Sequence, residues 1–185
     1  MHIKKNNPWR KTSPAAIITG LLLVFIFSAC QEAPQERQLP DSETLKETLA
    51  ETNKLLLGAE DQEIRDFVDR YGWDVKETGS GLRYYIYHEG DGPRARTGNI
   101  VLIDYSIHLI TGDLVYSSGE DGPREFEIGK GGVETGLEEG ILLLHQGDKA
   151  KFILPSHLAH GVPGDGVKIP KRATIVYDVE VLDLK

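Results

Sequence analysis

Apolar and polar positions fall into distinct patterns along the 185 residues. Ala15 to Phe27 is almost uninterrupted apolar sequence, and Gln31 to Pro40 is polar with two prolines and no periodicity. From Asp41 to Tyr71, Leu45, Leu49, Leu56, Ile64, Phe67, Val68 and Tyr71 recur near helical spacing, which predicts an amphipathic helix. Thr44 and Glu47 offer a capping box at its start. Gly58 is expected to kink or divide it, because an interior glycine costs about 1 kcal/mol against alanine. Strand formers take over at Leu82–His88, followed by a turn at Glu89–Pro93. Ile100–Ile110 reads as a long strand, turned by Thr111-Gly112-Asp113 into Leu114–Tyr116, and Glu125–Ile128 as a short one. Leu137, Ile141 and Leu144 share one helical face ending near Gly147. Lys149–Leu154 is a strand stopped by Pro155, and Ile175, Tyr177, Val179 and Val181 alternate through a last strand. Several strands with one central helix predict an α+β fold, an antiparallel sheet curled around a short helix.

Charge divides the chain at its thirtieth residue. Residues 1–29 carry four cations and no acid, so the net charge of −8 becomes −12 for the remainder. An acidic chain without a Lys/Arg cluster lacks the footprint of a nucleic-acid binder. The apolar run spans about 13 residues, short of the roughly 20 that a membrane-spanning helix needs. A basic start, a short apolar stretch and small residues before a cut site describe a secretory leader. The single cysteine, Cys30, follows Phe27-Ser28-Ala29. That pattern resembles the lipobox of bacterial lipoproteins, whose thiol is diacylated and whose new N-terminus is acylated. Several acyl chains, at about 0.8 kcal/mol per buried CH₂, anchor a protein stably where one would not. One cysteine also excludes an intrachain disulfide framework.

Conventional catalytic signatures are thin. No G-x-S-x-G elbow is present, so Ser117, Ser118 and Ser156 read as turn or surface hydroxyls. Gly129-Lys130-Gly131-Gly132 lacks the spacing of a phosphate loop and reads as a turn. His157, His160 and Asp165 offer a weak metal-ligand pattern, and a surface or pocket-lining role suits the two histidines better. Three further segments carry more. Val133-Glu134-Thr135-Gly136-Leu137-Glu138-Glu139-Gly140 resembles the V-I-x-G-W-x-E-G segment of FK506-binding-protein (FKBP) peptidyl-prolyl isomerases. Pro155–Gly161 is similar to the family's P-x-x-x-A-Y-G, and Ile169-Pro170 with Ala173–Leu182 to its I-P-P-x-A-T-L-x-F-x-V-E-L-L ending. They occur in family order over roughly Leu82 to Lys185. With the lipobox and the preceding helix, the chain looks closest to gliding-motility-associated and related envelope lipoproteins of this family.

The resemblance implies a leader over 1–29, a lipidated tether over 30–40, a helical extension and lead-in over 41–81 and an isomerase domain over 82–185. It implies a folding catalyst for exported, proline-containing polypeptides, lipid-anchored at Cys30 in the cell envelope, on the outer membrane facing the periplasm. No cofactor or metal is implied. Carried over by position, Tyr105, Phe126, Val133, Ile169 and Tyr177 line a proline slot with Leu137 as its floor. The Glu134 N–H and the His160 side chain face substrate carbonyls. Val115, Tyr116 and Arg124 form a pocket rim that departs from the family, which commonly has Phe-Asp at the first two positions and an aromatic at the third. These departures bear on turnover and macrolide binding, not on the fold. A rival reading keeps the groove as a non-catalytic or weakly catalytic chaperone or assembly module. For the helix over 41–71, packing on its own domain and a homodimer arm both stand open.

Overall fold

The computed structural model describes residues 41–185, so the expected leader, the expected tether and Cys30 lie outside the described residues. Lys46–Lys185 form one compact unit. Helix α1 spans Ser42–Tyr71 and strand β1 Lys76–Glu77. Strands β2 (Arg83–His88), β3 (Ile100–Leu109) and β4 (Leu114–Ser117) lead to the short helix α2 (Ser118–Asp121). Strand β5 (Arg124–Glu127), helix α3 (Thr135–Ile141), strand β6 (Lys149–Leu154) and strand β7 (Ile175–Leu184) follow. A 3₁₀ turn at Ser156–Leu158 opens the long loop between β6 and β7. The strands form one antiparallel sheet in the order β1-β2-β6-β7-β3-β4, with β5 also paired to β3.

Alternation along the two central strands builds two cores. Phe152 and Leu154 of β6 and Ile175, Tyr177, Val179 and Val181 of β7 face inward, onto Leu137, Ile141 and Leu144 of the α3 segment. Gly140 lets α3 sit this close, since a Cβ there would lie 2.6 Å from the buried Phe152 ring. The intervening residues Ile153 and Val176, paired across the strands, point to the other face. There they meet Ile64 and Phe67 of α1, with Val68, Trp73, Val75 and Ile110 around them. Burying a large apolar side chain contributes roughly 1.5–3 kcal/mol, so this patch docks the C-terminal half of α1.

Two expectations for α1 are corrected. The helix runs unbroken through Gly58, where the glycine has open space around it and a propensity cost too small to interrupt 30 residues. Its start is capped by Asp41, whose carboxylate accepts from the Glu43 N–H at 2.6 Å and the Thr44 hydroxyl at 3.4 Å, which places Thr44 inside the first turn. Helix α3 also ends before Gly147, at Ile141, and Leu144 is buried from the turn that follows. Only the C-terminal half of α1 packs on the domain, as every residue from 41 to 59 is exposed. Among the described residues no helix is long and apolar enough to cross a membrane.

Candidate active site

Six of the residues proposed for the slot share one apolar cluster. Leu137, Ile169 and Tyr177 are buried in it, while Tyr105, Phe126 and Val133 pack against it half-buried. Strand alternation accounts for the side chains of β5, where Phe126 and Arg124 face inward and Glu125 and Glu127 outward. The Tyr105 and Tyr177 rings lie 6.4 Å apart, tilted by 45°. Val115 is buried in the same core, while Tyr116 and Arg124 are half-buried.

A carboxylate stands in the middle of this arrangement. Glu134 caps the start of α3 with extended backbone, and its buried side chain accepts from the Tyr177 hydroxyl at 3.0 Å. Its other oxygen lies 2.9 Å from His160 Nε2. Arg124 Nη1 approaches the same carboxylate at 3.9 Å while Nη2 donates to the Gly132 carbonyl at 2.9 Å. Burial, then the Glu134 charge, pushes the Tyr177 phenol well above the ordinary tyrosine range. Tyr105 is raised as well, by burial first and then by the negative field of Asp121 and Glu134, with Arg124 opposing. The Glu134 N–H itself donates to no group among the described residues. His160 Nε2 thus lies against a neighbouring carboxylate of the same cluster. The acid at 134 stands where the family motif has an apolar residue, and the histidine at 160 where it has tyrosine. Read together, those two departures signal the pair.

A second carboxylate enters from the loop after β6. The Tyr116 hydroxyl donates to Asp165 Oδ2 at 2.5 Å, and Oδ1 accepts from the Val167 and Ile169 N–H groups at 2.8 Å each. Lys168 lies 4.8 Å from the Tyr116 ring centroid, a cation–π contact. Position 116, where the family commonly has an acid, thus carries a phenol hydrogen-bonded to one. The histidines diverge: His157 Nε2 donates to the Ser80 carbonyl at 2.9 Å, away from His160 and Glu134.

Burial alone would raise the Asp165 carboxyl, but the Tyr116 and backbone hydrogen bonds and the nearby His160 outweigh it and hold it at about 2. A carboxyl depressed on folding stabilises above its unfolded value, about 3.9, and loses that contribution as pH falls through the folded one. The loop is therefore expected to loosen between about pH 4 and 2. Amide spectra should show the Val167 and Ile169 N–H signals shifting there, and Asp165→Asn should abolish the step.

Comparison with known proteins places this geometry. The family model for FKBP-type peptidyl-prolyl cis-trans isomerase matches residues 92–182. FK506-binding protein 2 of Dictyostelium discoideum is 37% identical over 92 residues, covering 49% of this chain and 69% of that protein. The chain belongs to the FKBP family. A probable FKBP-type isomerase of Haemophilus influenzae is 39% identical over 114 residues, covering 61% of this chain. The match spans only 46% of that relative's length, and 40% of the FkpA relative from Neisseria meningitidis. The crystal structure of FkpA from Escherichia coli is 26% identical, covers 95% of this chain and 84% of its own, and superposes with a TM-score of 0.57. The architecture is thus the FKBP one, an antiparallel sheet on a short helix with an N-terminal helix before it.

Proposed function

We propose that this FKBP-family chain catalyses cis–trans isomerisation of X–Pro bonds in exported polypeptides, held to an envelope membrane by lipid at Cys30. The observation that carries the catalytic reading is the half-buried group of Tyr105, Phe126 and Val133 packed with Leu137 and Tyr177, together with a Glu134 N–H that donates to no group among the described residues. Resonance holds the peptide bond planar behind a barrier of about 18–20 kcal/mol. For X–Pro the isomers are close in energy, yet they exchange over tens to hundreds of seconds. At 90° of twist the resonance is lost and the carbonyl carries less charge, so an apolar wall favours the twisted amide relative to water. A site that binds that form more tightly speeds exchange in both directions and leaves the equilibrium alone. In this reading the proline ring enters the slot, Ile169 closes it, and the Glu134 N–H holds a flanking carbonyl. No nucleophile is required, which accords with the absence of catalytic signatures in the sequence.

Anchoring rests on the leader and lipobox pattern, as does placement among gliding-motility-associated and related envelope lipoproteins on the periplasmic side of the outer membrane. The exposed Leu49, Leu55 and Leu56 of α1 support a homodimer arm as a further part of this reading. A protease-coupled proline-peptide assay on residues 31–185 tests the activity, and turnover above the uncatalysed rate is expected. No turnover on any X–Pro peptide, with suppressed aggregation of an unfolded client, would replace the enzyme by a binding module. Cys30→Ser should abolish incorporation of radiolabelled fatty acid, and unchanged labelling would remove the anchor.

A further inference from the structure

The loop between β6 and β7 carries His160, Asp165 and Ile169, and both of its stems meet one side chain of α1. Glu60 accepts from the Ser156 N–H at 2.6 Å and, through the same oxygen, from the Thr174 hydroxyl at 2.8 Å. Its second oxygen lies 3.2 Å from the Ser156 hydroxyl. Ser156 and Thr174 are buried and stand just beyond the paired residues Leu154 and Ile175, where β6 ends and β7 begins. Glu60 is also the first residue of α1 that is not exposed, directly ahead of Asp61, Ile64 and Phe67 on the docked face.

The same helix reaches the loop once more. Arg172 Nη2 donates to Asn53 Oδ1 at 3.5 Å, and Arg172 is the one non-glycine residue with positive φ among the described residues, at 57°. A side-chain-bearing residue in that conformation is disfavoured by roughly 1–2 kcal/mol, so neighbouring contacts must hold it. Its N–H donates to the Gly161 carbonyl at 3.0 Å, and the Gly161 N–H to the Ser156 carbonyl at 2.8 Å. A chain of bonds thus runs from Glu60 through Ser156 and Gly161 to Arg172, passing directly beside His160. Hydrogen bonds to a charged acceptor are about twice as strong as neutral ones, and here three donors converge on one carboxylate.

We infer that Glu60 is a positioning residue for the isomerase site: through Ser156 and Thr174, α1 sets the loop that presents His160 and Ile169. This rests on the catalytic reading above, and its test has an arm that does not. In the full chain, held in detergent micelles, Glu60→Ala should accelerate amide exchange at Gly161, Ile169 and Arg172 at least tenfold, while β3 amides keep their protection. On an X–Pro peptide, kcat/KM should fall at least fivefold, and Glu60→Gln should recover most of both losses, because its amide oxygen still accepts. If Glu60→Ala does not fold, Thr174→Val and Ser156→Ala each remove one hydroxyl and should show smaller loop-confined exchange increases. Loop exchange within twofold of the parent in whichever of these variants folds would overturn the clamp. So would acceleration spread evenly over β3 and the loop, which would make Glu60 a general stability residue. If the parent protein shows no turnover, the catalytic reading fails, while the exchange arm still decides whether Glu60 orders the loop.

Discussion

Tyr177→Ala is expected to unfold much of the population near physiological temperature, whereas Tyr105→Ala leaves the protein folded and impaired. The two tyrosines occupy different environments although both are proposed to line the slot. Tyr177 is fully buried between α3 and the sheet, so truncation leaves a ring-sized void and costs about 3–5 kcal/mol. For a chain of this size that lowers the melting temperature by roughly 10 °C, at about 2–4 °C per kcal/mol. Truncation also strips Glu134 of a donor inside the protein. Tyr105 is half-buried against the same apolar cluster, and its removal should lower kcat/KM about tenfold, or 1.4 kcal/mol of transition-state binding. Thermal melts beside peptide kinetics separate the two effects. A folded Tyr105→Ala with full activity would move the proline slot elsewhere.

Glu134→Ala should produce the second large change. The Tyr177 hydroxyl would lose its acceptor within the core, at about 1–3 kcal/mol for a buried unsatisfied group. His160 would lose the partner that fixes its ring, and Arg124 would keep only the Gly132 carbonyl. The backbone N–H at 134 survives the substitution, so activity that persists at wild-type level would show that this amide alone matters. The expected result is a several-fold loss in kcat/KM together with reduced stability to urea. Glu134→Gln should retain most of the stability, since its amide carbonyl still accepts and a tyrosine hydroxyl can accept from its NH₂. The double replacement Glu134→Ile with His160→Tyr restores the family's residues at both positions. It should outperform either single change, because each single change leaves one of the paired groups without its partner.

Local patterning carried the fold far. Lys149–Leu154 ends in strand formers and is closed by a proline, and its strand has those bounds in the structure. The period-2 run from Ile175 likewise becomes β7. Gly58 misled because propensity is a weak local term against a long helix whose second half is docked. The short β1 and α2 carried too few residues to show any periodicity. The candidate site was legible only where family motifs bring its apolar residues into one cluster. The Glu134 side chain meets Tyr177 across 43 residues of sequence, and Tyr116 meets Asp165 across 49. No spacing rule links residues so far apart, and the clue lay in departures that compensate one another. Glu60 left no such clue, because its partners Ser156 and Thr174 lie 96 and 114 residues away.

The pairing of Ile153 with Val176 on the back of the sheet bears on how a minimal domain would be cut from this chain. Strands β6 and β7 are buried on both faces at their loop ends, so Phe152-Ile153-Leu154 and Ile175-Val176-Tyr177 read as unbroken apolar triplets. A fragment beginning at Leu82 would lack Ile64 and Phe67 and leave this pair facing water, as an adhesive window in a sheet otherwise flanked by charged side chains such as Lys151 and Asp178. Exposed apolar patches of that kind promote association. Threonine at 153 and 176 would keep the β-branched shape that strands favour while wetting the window.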